Sequence, residues 1–367
     1  MMGEMQAYLD EVLAAFDIKA GAADAVHFSQ GHVNETFMVT EPESGRRFVV
    51  QRISPAAFKR PDQVMENVIG ITEYLGREIE KNGGDRTREA LRFLRPRTGG
   101  LYYEDRDGGP WRVYPYVERT LCYQTAETPE LFAASGRAFG RFQRLLRDYP
   151  AGTLYETIPH FHDTEDRLAR LKAAVAEDKL GRAAACGSEI DFMLEREADC
   201  SVALQALRDG VLPLRVTHND TKLNNVLMDA DTGEGICIID LDTVMPGLAI
   251  NDFGDSIRFG ANHSAEDETD LSKVNLDLGL FEVYTQAFLE GAGGTLTAAE
   301  IEYLPWGAKL MTLECGIRFL TDYLEGDVYF HISREKQNLD RCRTQCKLVS
   351  DMEEHWDELA EIVKKYR

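Results

Sequence analysis

The spacing of apolar and polar positions divides the chain into a strand-rich beginning and a helical remainder. Residues 6–16 and residues 61–81 repeat apolar side chains every three or four positions, as amphipathic helices do. Residues 27–50 and the segment RTGGLYYEDRDGGPWRVYPYVERT are typical of strands separated by turn residues. We therefore predict five strands and one embedded helix for the first lobe, preceded by the helix at residues 6–16.

From Thr128 onward the chain repeats apolar positions mostly at helical spacing. One short β unit interrupts this pattern, in which residues 226–228 pair with residues 236–239 across a DTGEG turn. The 367 residues exceed the usual size of one hydrophobic core. We predict an α+β fold with two lobes, a small β-rich N-terminal lobe at residues 1–116 and a large, mainly helical C-terminal lobe at residues 117–367.

Charge and cysteine usage narrow the classes of partner. The formal net charge is −22, whereas proteins that bind nucleic acids or anionic membranes cluster Lys and Arg. We therefore expect neither partner. The seven cysteines are scattered without a CxxC pair, and no apolar run approaches the ~18 residues of a membrane span. These features favour a cytoplasmic protein with reduced thiols, and we expect a monomer rather than an oligomer.

The stretch VTHNDTKLNNVLM, residues 216–228, carries a dense set of chemically useful side chains. His218, Asp220 and Asn225 have the spacing H-x-D-x(4)-N of kinase catalytic loops, in which the aspartate meets the acceptor hydroxyl and the asparagine holds Mg²⁺. The hairpin that follows returns Asp240 to the same end of the lobe. An Asn and an Asp there supply the oxygen ligands that Mg²⁺ prefers.

These side chains have distinct predicted roles. Asp220 orients the attacking hydroxyl and takes its proton, while Asn225 and Asp240 position the metal against the donor phosphates. Lys222 reaches the transferring phosphoryl group as a point charge. The alternative is that Asp and Asn are present only because they favour loops and caps.

Neighbouring residues are expected to be structural. His218 is expected to hold a backbone carbonyl rather than to transfer a proton. Asp252 opens an Asp-Phe-Gly sequence, but it lies too far along the chain for the single hairpin, so we expect it to accept backbone N–H bonds and brace the loop. The two histidines within residues 160–163 have metal-like spacing, but helix capping by Asp163 or Thr164 is favoured.

The catalytic residues resemble those of the aminoglycoside phosphotransferase and choline kinase superfamily, in which H-x-D-x(4)-N is followed by a hairpin and a metal-binding aspartate. Longer strings, spread over most of the chain, resemble the N-acetylhexosamine 1-kinase family: THNDTKLNN, IIDLDTVMPG, DFGDSIRFGA, IRFLTDYLEGD, HFHDTEDR and DKLGRAAAC. The resemblance implies a bilobal protein-kinase-like fold with ATP in the cleft and Mg²⁺ as cofactor. It also implies phosphorylation of the anomeric hydroxyl of N-acetylglucosamine or N-acetylgalactosamine.

The resemblance further implies which residues meet the ATP phosphates. A Gly-containing turn over the phosphates corresponds to SQGHVNETFMV, with Gly31 and Asn34, and an ordinary hairpin bend is the alternative. On the next strand the superfamily usually has a lysine or arginine, whereas this chain has Gln51. Arg52 points to the opposite face if the strand is regular. The sequence therefore leaves open which side chain binds the donor phosphates.

Two further donor contacts follow from the resemblance. The helix partner of the strand lysine would be either Glu66 or Glu73, and the sequence does not decide between them. Adenine is expected to hydrogen-bond the backbone that links the lobes, at Tyr116 and Val117.

The implied sugar site contains Asp220 with His32, Arg318 and Tyr329. Arg318 follows an apolar stretch and must find an acceptor, either sugar hydroxyls or a buried carboxylate such as Asp322. For His32 and Tyr329 the alternative is a role in a turn and in packing.

Together these features predict a kinase that makes N-acetylhexosamine 1-phosphate from ATP and the free sugar. One alternative keeps the machinery and changes the acceptor to choline, homoserine or an aminoglycoside, since an acidic surface suits a cationic acceptor. Another is a catalytically silent nucleotide-binding scaffold, which the missing lysine favours. The presence of Asp220, Asn225 and Asp240 together opposes it, because a pure binding protein needs no base.

Overall fold

The computed structural model describes residues 2–28 and 33–367, with side chains from residue 8 onward. The first part of the chain forms a five-stranded antiparallel sheet with the strand order β1-β2-β3-β5-β4. Its strands are β1 (Ala25–Phe28), β2 (Glu35–Thr40), β3 (Arg47–Arg52), β4 (Tyr103–Glu104) and β5 (Pro110–Pro115). The five predicted strands are thus confirmed, and Gln51 of β3 lies opposite Arg112 of β5.

Helices cover the two faces of this sheet. Because side chains alternate along a strand, Val50 packs with Leu9 and Val12 of α1 (Met2–Ala15), while Val49 packs with α2 (Pro61–Lys81) on the other face. α1 begins four residues before the predicted start at residue 6. α2 begins with Pro61 in its first turn, where a missing N–H costs nothing. The short α3 (Arg86–Glu89) follows.

The remainder is mainly helical, as the pattern predicts. The helical pattern at residues 188–210 is divided among three helices, with breaks at Arg196 and Ser201. The Arg196 guanidinium binds the carbonyl of Phe192 and the carboxylate of Glu353. The helices are α4 (Pro129–Leu145), α5 (Thr164–Glu177), α6 (Gly187–Glu195), α7 (Glu197–Cys200), α8 (Val202–Arg208), α9 (Ala249–Gly260), α10 (Leu278–Ala292), α11 (Ala298–Glu302), α12 (Leu304–Glu325), α13 (Gln337–Glu354) and α14 (Trp356–Lys365).

Two small sheets lie between the helices. The order β6-β8-β9 joins β6 (Thr120–Leu121), β8 (Val226–Asp229) and β9 (Gly235–Ile238), and β7 (Arg215–Thr217) pairs with β10 (Met245–Gly247). The predicted hairpin is confirmed, with Val226 opposite Ile238. The loop at residues 218–225 joins β7 to β8, and the loop at residues 239–244 joins β9 to β10. Because both loops connect the same two sheets, they lie side by side.

The α+β class is confirmed, with a β-rich first part and a helical second part. The boundary at residues 116 and 117 stays a prediction. It falls directly after β5, yet the apolar core around α2 includes Phe142, Leu146 and Val216 from beyond it. Within the described residues, no helix is both long and apolar enough to cross a membrane.

Candidate active site

The loop at residues 218–225 is anchored by Asp252 near the start of α9. The Asp252 carboxylate accepts the backbone N–H groups of His218 at 2.9 Å and Asn219 at 2.8 Å, and the side-chain amide of Gln143 at 2.8 Å. Burial raises the pKa of Asp252, although these bonds favour the charged form. The predicted bracing role is confirmed.

His218 connects the loop to the end of the hairpin. Its Nε2 donates to the carbonyl of Ile239 at 2.9 Å, and its Nδ1 accepts the N–H of Asp220 at 3.3 Å. The rings of Phe139 and Phe142 lie edge-on to the buried imidazole. With both nitrogens engaged by the backbone, His218 has the structural role that the sequence favours.

The carboxylate of Asp220 is held at both oxygens. Lys222 Nζ lies 2.7 Å from Oδ1, and Asn225 Nδ2 donates to Oδ2 at 3.2 Å and to the Asp220 carbonyl at 2.8 Å. Burial opposes the charge on Lys222, but Asp220 and Asp255 outweigh it and raise the pKa of Lys222. The ammonium group therefore remains charged beside a partly exposed carboxylate that can accept a proton.

Asp240 lies next to Asn225 because of the hairpin register. The N–H of Ile239 donates to the carbonyl of Asn225 at 2.9 Å, which fixes the following residue beside the catalytic loop. Asp240 has left-handed backbone angles, φ 56° and ψ 55°, which are uncommon outside glycine and cluster at functional sites. Asp240 is exposed to solvent, although protein atoms lie close around its carboxylate.

Negative charge is concentrated at this point. The surrounding protein and the carboxylates of Asp242 and Asp220 raise the pKa of Asp240 to about 6. Such a cluster is relieved by a bound cation.

The residues present fit Mg²⁺. The amide nitrogen of Asn225 is used by Asp220, so its amide oxygen is the atom left for a metal, together with the oxygens of Asp240. Mg²⁺ is typically held by one or two carboxylates plus substrate phosphates and waters. Among the described residues no group of three His, Cys, Asp or Glu side chains could hold a metal by itself, so phosphate oxygens would have to complete the shell.

On the donor side of the cleft, Gln51 does not meet a glutamate of α2. Glu66 instead binds the hydroxyl of Tyr155, and Glu73 lies 3.8 Å from Arg95. Both predicted candidates for the helix partner are therefore wrong.

Gln51 instead accepts a bond of 2.9 Å from Arg112 Nε, and Arg112 forms a bidentate ion pair with Asp242. Asn34 also donates to Asp242, at 2.6 Å. Arg52 faces the other side of the sheet, as predicted, and pairs with Asp105. Sequence reasoning missed Arg112 and Asp242, because their contacts depend on the register of β3 with β5.

The other residues predicted to contact ATP are Tyr116, Val117 and Gly31. The N–H of Tyr116 donates to the carbonyl of Arg47 at 2.9 Å, and the Arg47 guanidinium lies over the Tyr116 ring. The Tyr116 carbonyl and the backbone of Val117 are still available, so the adenine contact at these two residues stays a prediction. Gly31 and His32 lie outside the described residues.

Arg318 lies among aromatic rings. Its guanidinium carbon is 5.6 Å from the ring centre of Phe161, 5.7 Å from Tyr329 and 5.3 Å from Phe330. Within residues 8–28 and 33–367, no carboxylate lies within ion-pair distance of it. Asp322 is not its partner, because that carboxylate accepts the N–H groups of residues 328–330.

Phe161 connects Arg318 to the catalytic loop through the adjacent His162. His162 Nε2 lies 3.1 Å from the carbonyl of Asn219, the residue before Asp220. Asp163 caps α5, as expected, by accepting the N–H of Asp166 at 2.9 Å. Tyr329 is 68% exposed, so it forms part of the rim of this region rather than the core.

Residues 24–277 match the sequence model of the phosphotransferase enzyme family known as APH. The chain belongs to this family. The matched residues include the catalytic loop, Asp240 and the whole of the five-stranded sheet, whereas Arg318 and Tyr329 lie beyond them.

Solved structures show the same fold. An aminoglycoside phosphotransferase from Alicyclobacillus acidocaldarius superimposes with a TM-score of 0.61 at 14% identity, covering 97% of this chain and 96% of that one. Choline kinase from Cryptosporidium parvum gives 0.55 at 13% identity, covering 94% and 92%. A spectinomycin phosphotransferase in complex with ADP and spectinomycin gives 0.52 at 14% identity, covering 98% of each chain. These likenesses confirm the predicted kinase-like fold, and the family makes this protein a phosphotransferase.

Proposed function

We propose that this phosphotransferase transfers the γ-phosphoryl group of ATP to the anomeric hydroxyl of N-acetylhexosamines. The arrangement of Asp220 carries the proposal. One of its oxygens meets Lys222 and the other meets Asn225, and Asn225 is fixed beside Asp240. With Asp220 as the base, Lys222 as the cation, and Asn225 and Asp240 as metal ligands, this arrangement supports in-line phosphoryl transfer.

In this proposal each of these residues has a defined chemical role. Asp220 accepts a hydrogen bond from the C1 hydroxyl and takes its proton as the oxygen attacks the γ-phosphorus and ADP leaves. Lys222 turns its ammonium from Asp220 toward the negative charge on the transferring group. Asn225 and Asp240 would hold Mg²⁺, and the bound ion would neutralise charge on the donor phosphates.

The charge on the acceptor side favours a neutral acceptor over a cationic one. Among the described residues no carboxylate pairs with Arg318, which is the cation predicted for the acceptor site. Burial, together with the charge of Arg318, lowers the pKa of nearby Arg167. Choline and aminoglycosides are cations and would be repelled there, whereas sugar hydroxyls and an acetamide carbonyl accept hydrogen bonds from arginine. The N-acetylhexosamine resemblance agrees with this charge.

The first experiment is a ³¹P NMR time course with Mg-ATP and either N-acetylglucosamine or N-acetylgalactosamine. We expect a sugar phosphate signal split by the anomeric proton. Asp220→Asn should lower kcat by roughly 10²–10⁴-fold, the usual contribution of a general base, without changing thermal stability by more than a few degrees. Asp231→Asn, on the exposed hairpin turn, is the matched control and should leave kcat unchanged.

Other outcomes separate the alternatives. Phosphorylation of choline, homoserine or an aminoglycoside, with no reaction of either sugar, would keep the chemistry and refute the acceptor. Nucleotide binding without transfer to any acceptor in the panel would instead support a silent scaffold.

A further inference from the structure

Five residues form a closed ring of hydrogen bonds where the N-terminal sheet faces the turn that follows Asp240. Asn34 Nδ2 donates to Asp242 Oδ2 at 2.6 Å, and Arg112 donates to both oxygens of Asp242. Arg112 Nε donates to Gln51 Oε1 at 2.9 Å, and Gln51 Nε2 donates to Thr36 Oγ1 at 3.1 Å. Thr36 Oγ1 closes the ring on the Asn34 carbonyl at 3.4 Å. We call these residues the Arg112 ring.

The central ion pair of the Arg112 ring is buried. Arg112 is 2% exposed and Asp242 is 3% exposed. Desolvation makes such pairs costly, and apolar residues of similar volume often stabilise a protein at least as well. Stability alone is therefore a weak reason for this pair. Nη1 and Nη2 of Arg112 donate to Asp242 and Nε donates to Gln51, so three of the five N–H groups of Arg112 are used within the ring.

Asp242 transmits the position of Arg112 to the catalytic centre. Asp242 lies in the 3₁₀ turn Leu241–Thr243, directly after Asp240. At the end of this turn, the carbonyl of Thr243 accepts Asn219 Nδ2 at 2.8 Å, and its hydroxyl donates to the His218 carbonyl at 2.7 Å. The turn thus begins directly after Asp240, and its last residue, Thr243, is hydrogen-bonded to the catalytic loop.

The ring crosses from one part of the molecule to the other. Thr36, Gln51 and Arg112 belong to β2, β3 and β5, whereas Asp242 follows the hairpin of the helical part. Gln51 is uncharged and cannot act as a countercharge. The positive charge at this end of the cleft comes instead from the neighbouring strand, where Arg112 lies directly opposite Gln51.

We propose that Arg112 is a positioning residue for the donor nucleotide, which acts through Asp242 by fixing the turn that follows Asp240. This inference rests on the proposed function for its nucleotide donor but not for its acceptor. It has a specific consequence, because loss of Arg112 should weaken the binding of the metal–nucleotide complex and leave recognition of the acceptor intact.

The test is isothermal titration calorimetry of the full chain with Mg-ADP and with Mg-GDP, which requires no turnover. We compare the wild type with Arg112→Met, Arg112→Lys and the double variant Arg112→Met/Asp242→Asn. The double variant removes both buried charges, so it keeps the measurement possible if Arg112→Met alone fails to fold. Arg52→Met is the matched control, since Arg52 pairs with Asp105 on the opposite face of the same sheet.

We expect the double variant to unfold within a few degrees of the wild type and yet to bind the nucleotide about 10–100-fold more weakly, the usual effect of removing a group that orients a metal ligand. Arg112→Lys should recover part of this loss, and Arg52→Met should bind as the wild type does. In steady-state assays the KM for the nucleotide should rise while the KM for the acceptor stays within about twofold, because the ring does not reach the acceptor side.

Two outcomes overturn the inference in different ways. If the wild type binds Mg-ADP or Mg-GDP and the folded double variant binds it equally well, the Arg112 ring is only structural and the proposed function stands. If the wild type binds neither nucleotide, the donor in the proposed function is wrong and the inference falls with it.

Discussion

His162 lies between two acceptors on different elements. Its Nδ1 is 2.8 Å from the carboxylate of Glu314 in α12, and its Nε2 is 3.1 Å from the carbonyl of Asn219 in the catalytic loop. A neutral imidazole has only one N–H, so both bonds require the protonated ring. Burial opposes this charge, but Glu314, and Asp255 from α9, raise the pKa of His162 above its usual value.

The protonated ring should make the stability of the protein dependent on pH. Because the pKa is higher in the folded state, the contribution of His162 is complete below its unfolded pKa near 6.5 and is lost as the pH rises through the folded value. We therefore expect His162→Gln to lower the free energy of unfolding by about 1–3 kcal/mol at acidic pH, as for a hydrogen bond to a charged group, and by less at alkaline pH.

Urea unfolding of both proteins between pH 5.5 and pH 9 measures this difference. His263→Gln is the control, since His263 is exposed and pairs with Asp277 at the surface. A destabilisation by His162→Gln that is constant across this range would mean that the ring contributes by packing and not by its charge.

At the scale of elements, α9 and α12 touch through their backbones. A Cβ atom at Gly254 would lie 2.1 Å from the carbonyl oxygen of Gly307, and one at Gly307 would lie 2.1 Å from the carbonyl oxygen of Ile250. Each residue of the sequence Asp252-Phe253-Gly254 has a structural role. Asp252 anchors the catalytic loop, Phe253 is fully buried, and Gly254 permits the close approach of the two helices.

A side chain at this crossing should affect both stability and catalysis. Gly254→Ala would push the backbone of α9 away from that of α12. Overpacking of this kind lowers the free energy of unfolding by about 1–3 kcal/mol. Because the displaced helix carries Asp252, we also expect kcat to fall more than the KM of either substrate changes. Urea unfolding and steady-state kinetics measure the two effects.

Gly187→Ala is the matched control for this prediction. Gly187 lies in a helix, and a Cβ atom there meets nothing within 4 Å, so alanine should be neutral or slightly stabilising. Equal urea midpoints for Gly254→Ala and the wild type would show that α9 and α12 are not held at this distance.

The elements also show which features the sequence can predict. Asp220, Asn225 and Asp240 are predictable because a short loop and one hairpin fix their relative positions, and the contacts of Asp252 follow from its nearness to that loop. Arg112 is not, since its place opposite Gln51 depends on the pairing of strands separated by α2. The pairing of His162 with Glu314 likewise joins residues 152 positions apart, which no local pattern encodes.

At the scale of the whole molecule, positive charge is scarce and locally placed. The chain has 63 acidic and 41 basic residues, and the proposed site uses three of the basic ones, Lys222, Arg112 and Arg318. Lys222 and Arg112 are paired with carboxylates there, whereas Arg318 faces aromatic rings. In the proposed function these cations would face an anionic donor within a protein that is acidic as a whole.

The two predicted lobes share one of the apolar clusters. Val64, Val68 and Ile71 of α2 pack in the same cluster as Phe142 of α4 and Val244 next to β10. The ion pair of Arg112 with Asp242 crosses between the same two parts. Neither part therefore buries its apolar surface completely without the other.

We accordingly expect the full chain to unfold in a single cooperative transition rather than as two domains. In differential scanning calorimetry the calorimetric and van't Hoff enthalpies should agree, as they do for a two-state process. A fragment of residues 1–116 should lack a cooperative transition and bind a hydrophobic dye, because the α2 face that meets Phe142 and Val244 is then exposed to water. Two resolved calorimetric transitions, with the fragment reproducing one of them, would instead establish residues 1–116 as an independent domain.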